Sequence, residues 1–181
     1  MTNPSYTEYD VSFSTVGQLF PSLPKAEGGI MTQSDDGKPV VLHVDDNDAM
    51  ACLLRYALRQ KKVDVDVFRL CNGEDAMLYL ARMGTFVGAP HPAVVVLDLS
   101  LPKKHGHEIL AEIRQDASLQ HVPVIVFTSS VRAADRERSL ALGANHYFYK
   151  GDLKTFAAVS QQILDYLPGS PLPKRGWTTA P

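Results

Sequence analysis

The sequence predicts a doubly wound α/β fold: a five-stranded parallel sheet, ordered 2-1-3-4-5, with helices on both faces. Three observations predict it. Short apolar runs alternate five times with segments in which apolar residues recur at three- and four-residue spacing, the mark of βα units joined by right-handed crossovers. The runs that begin at Val40, Ala93 and Pro123 are apolar almost throughout, as strands covered on both faces must be. The run Val63-Asp64-Val65-Asp66-Val67 instead alternates strictly. It is expected as a half-exposed edge strand with its acids on a solvated face.

Composition narrows the class of protein. At 181 residues and 45% hydrophobic, the chain can bury a core of ordinary domain size. A formal net charge of -2 gives no general electrostatic attraction to nucleic acid or anionic membranes. Two cysteines, Cys52 and Cys71, do not make a disulfide scaffold and suit a reducing compartment. No stretch is long and apolar enough to cross a bilayer. The first residues lack the basic-then-apolar pattern of a secretory signal. A cytoplasmic location is expected. Residues 1–38, broken by Pro21, Pro24, Gly28 and Gly29, read as a flexible extension. Residues 39–167 read as the folded domain, and 168–181 as a proline-containing tail.

Each element has its own signature. Val40-Val41-Leu42-His43-Val44 is the first strand, and His43 within it is expected as a satisfied core residue. Asn47 is the expected N-cap of a helix whose Met50, Leu53, Leu54, Ala57 and Leu58 form one stripe. After the alternating strand, Asn72-Gly73 makes a turn into a second helix, expected over 74–83. Ala93-Val94-Val95-Val96-Leu97 leads straight into Asp98, and Pro102 and Gly106 shape the turn that follows. A third helix over 108–116 carries Ile109, Leu110 and Ile113 inward. The strand Pro123-Val124-Ile125-Val126-Phe127 ends at Thr128, and a fourth helix over 132–142 is closed by Gly143. His146-Tyr147-Phe148-Tyr149 is a short aromatic strand that ends at Lys150. A fifth helix then turns Leu153, Phe156, Ser160, Ile163, Leu164 and Leu167 to one side, and Pro168 stops it.

The strand ends carry the chemistry. Parallel strands bring their carboxyl ends to one edge, where open α/β sheets bind ligands. That edge collects Asp45 and Asp46 from the first strand, Asp98 from the third, Thr128 from the fourth and Lys150 from the fifth. Three neighbouring carboxylates need a cation to remain ionised together. Their hard oxygens suit Mg²⁺, which is held by one or two carboxylates with a phosphate. With the Thr128 hydroxyl and the Lys150 ammonium, the set can stabilise phosphoryl transfer onto Asp98. Any one of these residues is unremarkable alone; four strand ends that agree are not.

Those motifs resemble the receiver domain of two-component response regulators. The residues that carry the likeness are Val44-Asp45-Asp46-Asn47, Leu97-Asp98-Leu99-Ser100-Leu101-Pro102 with Gly106, Phe127-Thr128-Ser129-Ser130, and Gly143-Ala144 followed by Tyr147 and Lys150. The stretch from Asp98 to Gly106 looks most like stand-alone, Rcp-type regulators that partner bacterial phytochrome kinases. The resemblance implies a flavodoxin-like fold and a phosphoryl group accepted on Asp98 from a sensor histidine kinase. It implies Mg²⁺ ligated by Asp46, Asp98 and the Ser100 backbone carbonyl, with Asp45 acting through water. It gives Lys150 the acyl phosphate as partner, and makes Thr128 and Tyr147 a conformational switch. Output would run through the face of the fourth helix, fifth strand and fifth helix, where a homodimer can also form. With too little chain after Leu167 for a DNA-binding domain, the receiver is expected to be the whole device, an enzyme only in its own phosphorylation and dephosphorylation.

One departure stands out: Gly151 follows Lys150 where the family usually has proline, in a cis bond. A cis bond before a non-proline residue costs about 2.5–4 kcal/mol, so either strain is stored there or the loop differs. Two other classes compete. A haloacid-dehalogenase-type phosphatase would need a second aspartate at position 100, where Ser100 stands. A phosphorylation-independent adaptor would have no reason to keep the acidic pair, Thr128 and Lys150. No strand is followed by the glycine fingerprint of a dinucleotide site. His105 and His107 are expected to be polar loop residues, without further metal ligands.

Overall fold

The computed structural model describes residues 8–10 and 37–168. Its sheet is parallel throughout and has six strands: β1 (Glu8–Asp10), β2 (Val40–Val44), β3 (Asp66–Leu70), β4 (Val94–Leu97), β5 (Val124–Thr128) and β6 (His146–Tyr149). Their spatial order is β1-β3-β2-β4-β5-β6. The five strands from β2 onward therefore follow the expected 2-1-3-4-5 order, and the short β1 is added outside them. The helices are α1 (Asp48–Gln60), α2 (Gly73–Leu80), α3 (Gly106–Gln115), α4 (Ala133–Ala141) and α5 (Leu153–Tyr166). No helix among the described residues is long and apolar enough to cross a membrane.

Period-two alternation along each strand separates two cores. Leu42, Val44, Phe68, Leu70, Val95, Leu97, Val124 and Val126 pack with Ala76, Tyr79, Ile109 and Ile113 on one face. Val41, Val67, Val94, Val96, Ile125 and Phe127 pack with Leu54, Leu58, Phe156, Val159 and Ile163 on the other. Helices α2 and α3 cover the first face, and α1 and α5 the second.

Two expectations need correction. The second strand of the domain lies at Asp66–Leu70, starting three residues later than the alternating run, and every residue in it is buried. Asp64 stays exposed, but Asp66 is only 1% exposed and is not on a solvated face. The physical reason is coverage. Lys62 takes a left-handed turn (φ 54°) after α1, and the chain spends Val63 to Val65 returning to the sheet. Asp66 is the first residue in register, opposite Val40, where helices already cover both faces. Nor is this strand the edge, because Glu8–Asp10 pairs with Val67–Arg69 along its outer side. Three residues of the expected flexible extension are thus strand; the rest of 1–38, apart from 37 and 38, lies outside the described residues, as does the tail beyond 168.

Helix ends shift more modestly. Helix α2 stops at Leu80 instead of Met83, and a single 3-10 turn occupies Gly84–Phe86. Asn47, Asn72 and Asp152 each cap a helix, with side chains that accept from Met50, Asp75 and Thr155 N–H. In α5, Phe156, Ser160 and Ile163 are buried as expected, but Leu153 in the first turn is 67% exposed.

Candidate functional site

The acidic edge is built from strand endings. Hydrogen bonds from Asp45 N–H to the Leu70 carbonyl (3.0 Å) and from Asp98 N–H to the Val44 carbonyl (2.9 Å) continue the ladder past β2 and β4. Both carboxylates are therefore delivered from ordered backbone. Gly106 keeps the chain close after Asp98: a Cβ there would overlap the Asp98 carbonyl oxygen and the Leu99 Cα, so only glycine fits. Its N–H bonds the Leu99 carbonyl at 3.0 Å.

The structure brings together most of the residues expected at the site. Carboxylate oxygens of Asp45, Asp46 and Asp98 lie within 4.8 Å of one another. Asp45 and Asp98 are buried, whereas Asp46 faces solvent. The Lys150 ammonium donates to Asp98 Oδ2 at 2.6 Å and lies 2.8 Å from Asp45 Oδ2. Ser100 N–H donates to Asp98 Oδ1 at 3.2 Å, and Asn47 N–H to Asp45 Oδ1 at 3.0 Å. Thr128 is fully buried at the end of β5; its Oγ accepts from Ser130 N–H at 3.3 Å, and its carbonyl accepts from Lys150 N–H at 2.7 Å. Tyr147 stands slightly apart. It is half-buried against the α2–α3 core and donates its hydroxyl to the Ser130 carbonyl at 2.9 Å.

Electrostatics favours an ionised acid at Asp45. Burial pushes its carboxyl up, but the hydrogen bond from His43 and the nearby Lys150 ammonium outweigh that and hold it at about 2. His43 Nε2 lies 3.3 Å from Asp45 Oδ2, and burial lowers the imidazole below its ordinary value. His43 is thus a core residue as expected, yet only partly satisfied, since its Nδ1 has no partner. Burial also raises the Tyr147 hydroxyl above its usual range. The Lys150–Gly151 peptide is trans, so of the two alternatives at that loop, the loop differs.

The donor set fits a divalent cation. Three carboxylates with oxygens within one ion's reach are hard ligands, and the exposed Asp46 leaves an entry from solvent. No cysteine or histidine joins them among the described residues, which disfavours a soft-metal site.

Two neighbours were missed by the sequence reading. Arg69 of β3 is 3% exposed, and its Nε donates to the Asp45 carbonyl at 3.0 Å. The available signal was an arginine between Phe68 and Leu70 in a strand, since a buried guanidinium must find acceptors. His107 was expected in a loop but is the second residue of α3 and 2% exposed, with Nε2 3.0 Å from Ser139 Oγ on α4. Its polar partners, Ser139 Oγ and the Asp135 carbonyl, come from α4, which no local pattern around position 107 reveals.

A model of the response regulator receiver domain matches residues 41–158. The chain belongs to that family, whose members are signalling proteins phosphorylated on an aspartate and generally not enzymes. It is 38% identical over 133 residues to the response regulator Rcp1 of Synechocystis sp., covering 72% of this chain and 90% of that one. Among solved structures, it resembles the phosphorylated cyanobacterial phytochrome response regulator RcpA, with TM-score 0.67, 33% identity, and 72% and 99% of the two chains covered. The Mn²⁺-bound form of Rcp1 matches with TM-score 0.67 and 36% identity, over 74% and 98% of the two chains. Neither the phosphatase nor the adaptor alternative is favoured by these relatives.

Proposed function

We propose that this protein is a response regulator that accepts a phosphoryl group on Asp98 from a sensor histidine kinase. The observation that carries the reading is the Lys150 ammonium held 2.6 Å from Asp98 Oδ2, beside carboxylates grouped within 4.8 Å. In the reaction an Asp98 oxygen attacks the phosphorus of a phosphohistidine. The P–N bond breaks, its electrons return to the imidazole, and an acyl phosphate forms. Lys150 orients the carboxylate before transfer and pairs with the phosphoryl oxygens after it. Asp46, Asp98 and the Ser100 carbonyl would hold Mg²⁺, with Asp45 through water; when bound, the ion supplies charge neutralisation for the carboxylates and the incoming phosphate. Hydrolysis of the acyl phosphate by water closes the cycle.

Phosphorylation adds charge beside Thr128, whose loop reaches Tyr147 through Ser130. Thr128 and Tyr147 are therefore proposed as the switch, and the α4–β6–α5 face as the output and homodimer surface. The receiver domain is taken as 39–167, flanked by the extension and the tail, in a cytoplasmic protein that signals through this domain. A bacterial phytochrome kinase is the proposed partner, supported by the likeness to RcpA and to the bacteriophytochrome response regulator RtBRR, at 35% identity and TM-score 0.61.

The test is incubation with acetyl phosphate and Mg²⁺. An acid-stable, base-labile phosphoprotein is expected from the parent and none from Asp98→Asn. Equal labelling of the two would overturn Asp98 as the acceptor.

A further inference from the structure

A buried arginine in a sheet has to be explained by what it holds. Arg69 stands level with His43 of β2 across the β2–β3 ladder, one strand away from the chain that carries the acidic pair. Its Nε donates to the Asp45 carbonyl at 3.0 Å, and its Nη1 lies 2.6 Å from Asp48 Oδ1. Asp45 and Asp48 bracket the turn from β2 into α1. One planar guanidinium therefore spans both ends of the turn that presents Asp46. The Asp45 carbonyl belongs to the rigid peptide unit that joins Asp45 to Asp46. To fix that carbonyl is to fix the Asp46 N–H and the departure of the Asp46 side chain. Arg69 touches this turn at a backbone carbonyl and at the first carboxylate of α1.

We propose that Arg69 is a positioning residue that holds the Asp45–Asp46 turn in its cation-accepting geometry, by gripping the Asp45 carbonyl and the Asp48 carboxylate. The inference rests on the divalent-cation reading of the site given above. Charge alone predicts the reverse effect. A guanidinium beside a cation site repels the cation, so its removal should tighten binding by Coulomb's law. Positioning predicts that its removal weakens binding. The sign of the change separates the two.

The experiment is a Mn²⁺ titration of the unphosphorylated full chain, with free ion read by electron paramagnetic resonance. Parent, Arg69→Met and Arg69→Lys are compared. Methionine keeps most of the buried volume without the charge. Lysine keeps the charge but cannot span both acceptors, and it remains informative if the methionine variant does not fold. Each variant is expected to bind Mn²⁺ about tenfold more weakly, the usual scale for losing a group that orients a ligand. In the phosphorylation assay, half-saturation in Mg²⁺ should rise in proportion, while the rate at saturating Mg²⁺ stays within about twofold. Unchanged or tighter Mn²⁺ binding in folded variants overturns the proposal and leaves the site reading intact. A parent that binds no Mn²⁺ overturns the site reading and this proposal with it.

Discussion

Helices α4 and α5 flank the same strand, β6, but are fastened to the molecule in different ways. Helix α5 buries Phe156, Val159, Ser160 and Ile163 along one side, and Phe156 meets Phe127 edge-on with centroids 5.0 Å apart. Helix α4 buries a single residue, Ser139. That serine donates to the Asp135 carbonyl one turn back at 2.7 Å, and its oxygen sits 3.0 Å from His107 Nε2. One helix is docked by an apolar stripe, the other by a polar contact to α3. Apolar burial is broad and insensitive to small displacement, whereas a hydrogen bond is short-range and directional. Helix α4 can therefore leave its seat at much lower cost than α5. It is also wired to the site: Asp135 in its first turn accepts from Ser130 Oγ at 2.5 Å, and Ser130 accepts the Tyr147 hydroxyl on its carbonyl.

The largest expected effect tests the firm side. Phe156→Ala removes a side chain only 2% exposed and should destabilise the whole domain by about 3–5 kcal/mol. Urea unfolding followed by circular dichroism checks this. A loss below about 1 kcal/mol would mean that α5 is not anchored as described.

A smaller and more local effect is expected on the other side. Ser139→Ala leaves the buried His107 Nε2–H with the Asp135 carbonyl at 3.3 Å as its remaining acceptor. It should cost about 1 kcal/mol, partly offset by the better helix propensity of alanine. Amide exchange should accelerate in α4 and stay unchanged in α5. Equal acceleration in both helices would show that they move as one body, and the contrast would fail.

The same contrast explains what could be read from the sequence. Helix α5, the buried strands and the ends at Asp45, Asp98, Thr128 and Lys150 were legible because periodicity and strand-end position are local properties of the chain. The five-strand order followed from burial, with the alternating strand placed beside the first. What escaped was non-local. Asp66 alternates like a solvated acid but is covered by elements elsewhere in the chain. The edge of β3 is taken by Glu8–Asp10, from a stretch with no strand pattern of its own. His107 looks like one of two loop histidines until α4 is laid against it. Arg69 lies in an apolar stretch, but its acceptor, the Asp45 carbonyl, comes from the end of another strand. In each case a polar residue is interpretable only through its partner, and the partner is distant in sequence.

The subtlest expectation concerns pH. His107 is lowered below its ordinary value of 6.5, chiefly by burial, with Arg138 and His105 also disfavouring the charged ring and the Asp135 carbonyl and carboxylate favouring it. The sign follows from linkage. Above about pH 6.5 the ring is neutral whether α4 is seated or not, and the seat has its full stability. As pH falls through that value, the exposed ring of the unseated state takes up a proton that the seated ring resists. Seating of α4 therefore weakens with acid. Exchange in α4, corrected for intrinsic rates, should rise relative to α5 between about pH 7 and pH 5. In His107→Gln, which retains an N–H donor without a titrating ring, that relative rise should disappear. If the variant keeps the same dependence, the titrating group lies elsewhere and α4 is not held through His107.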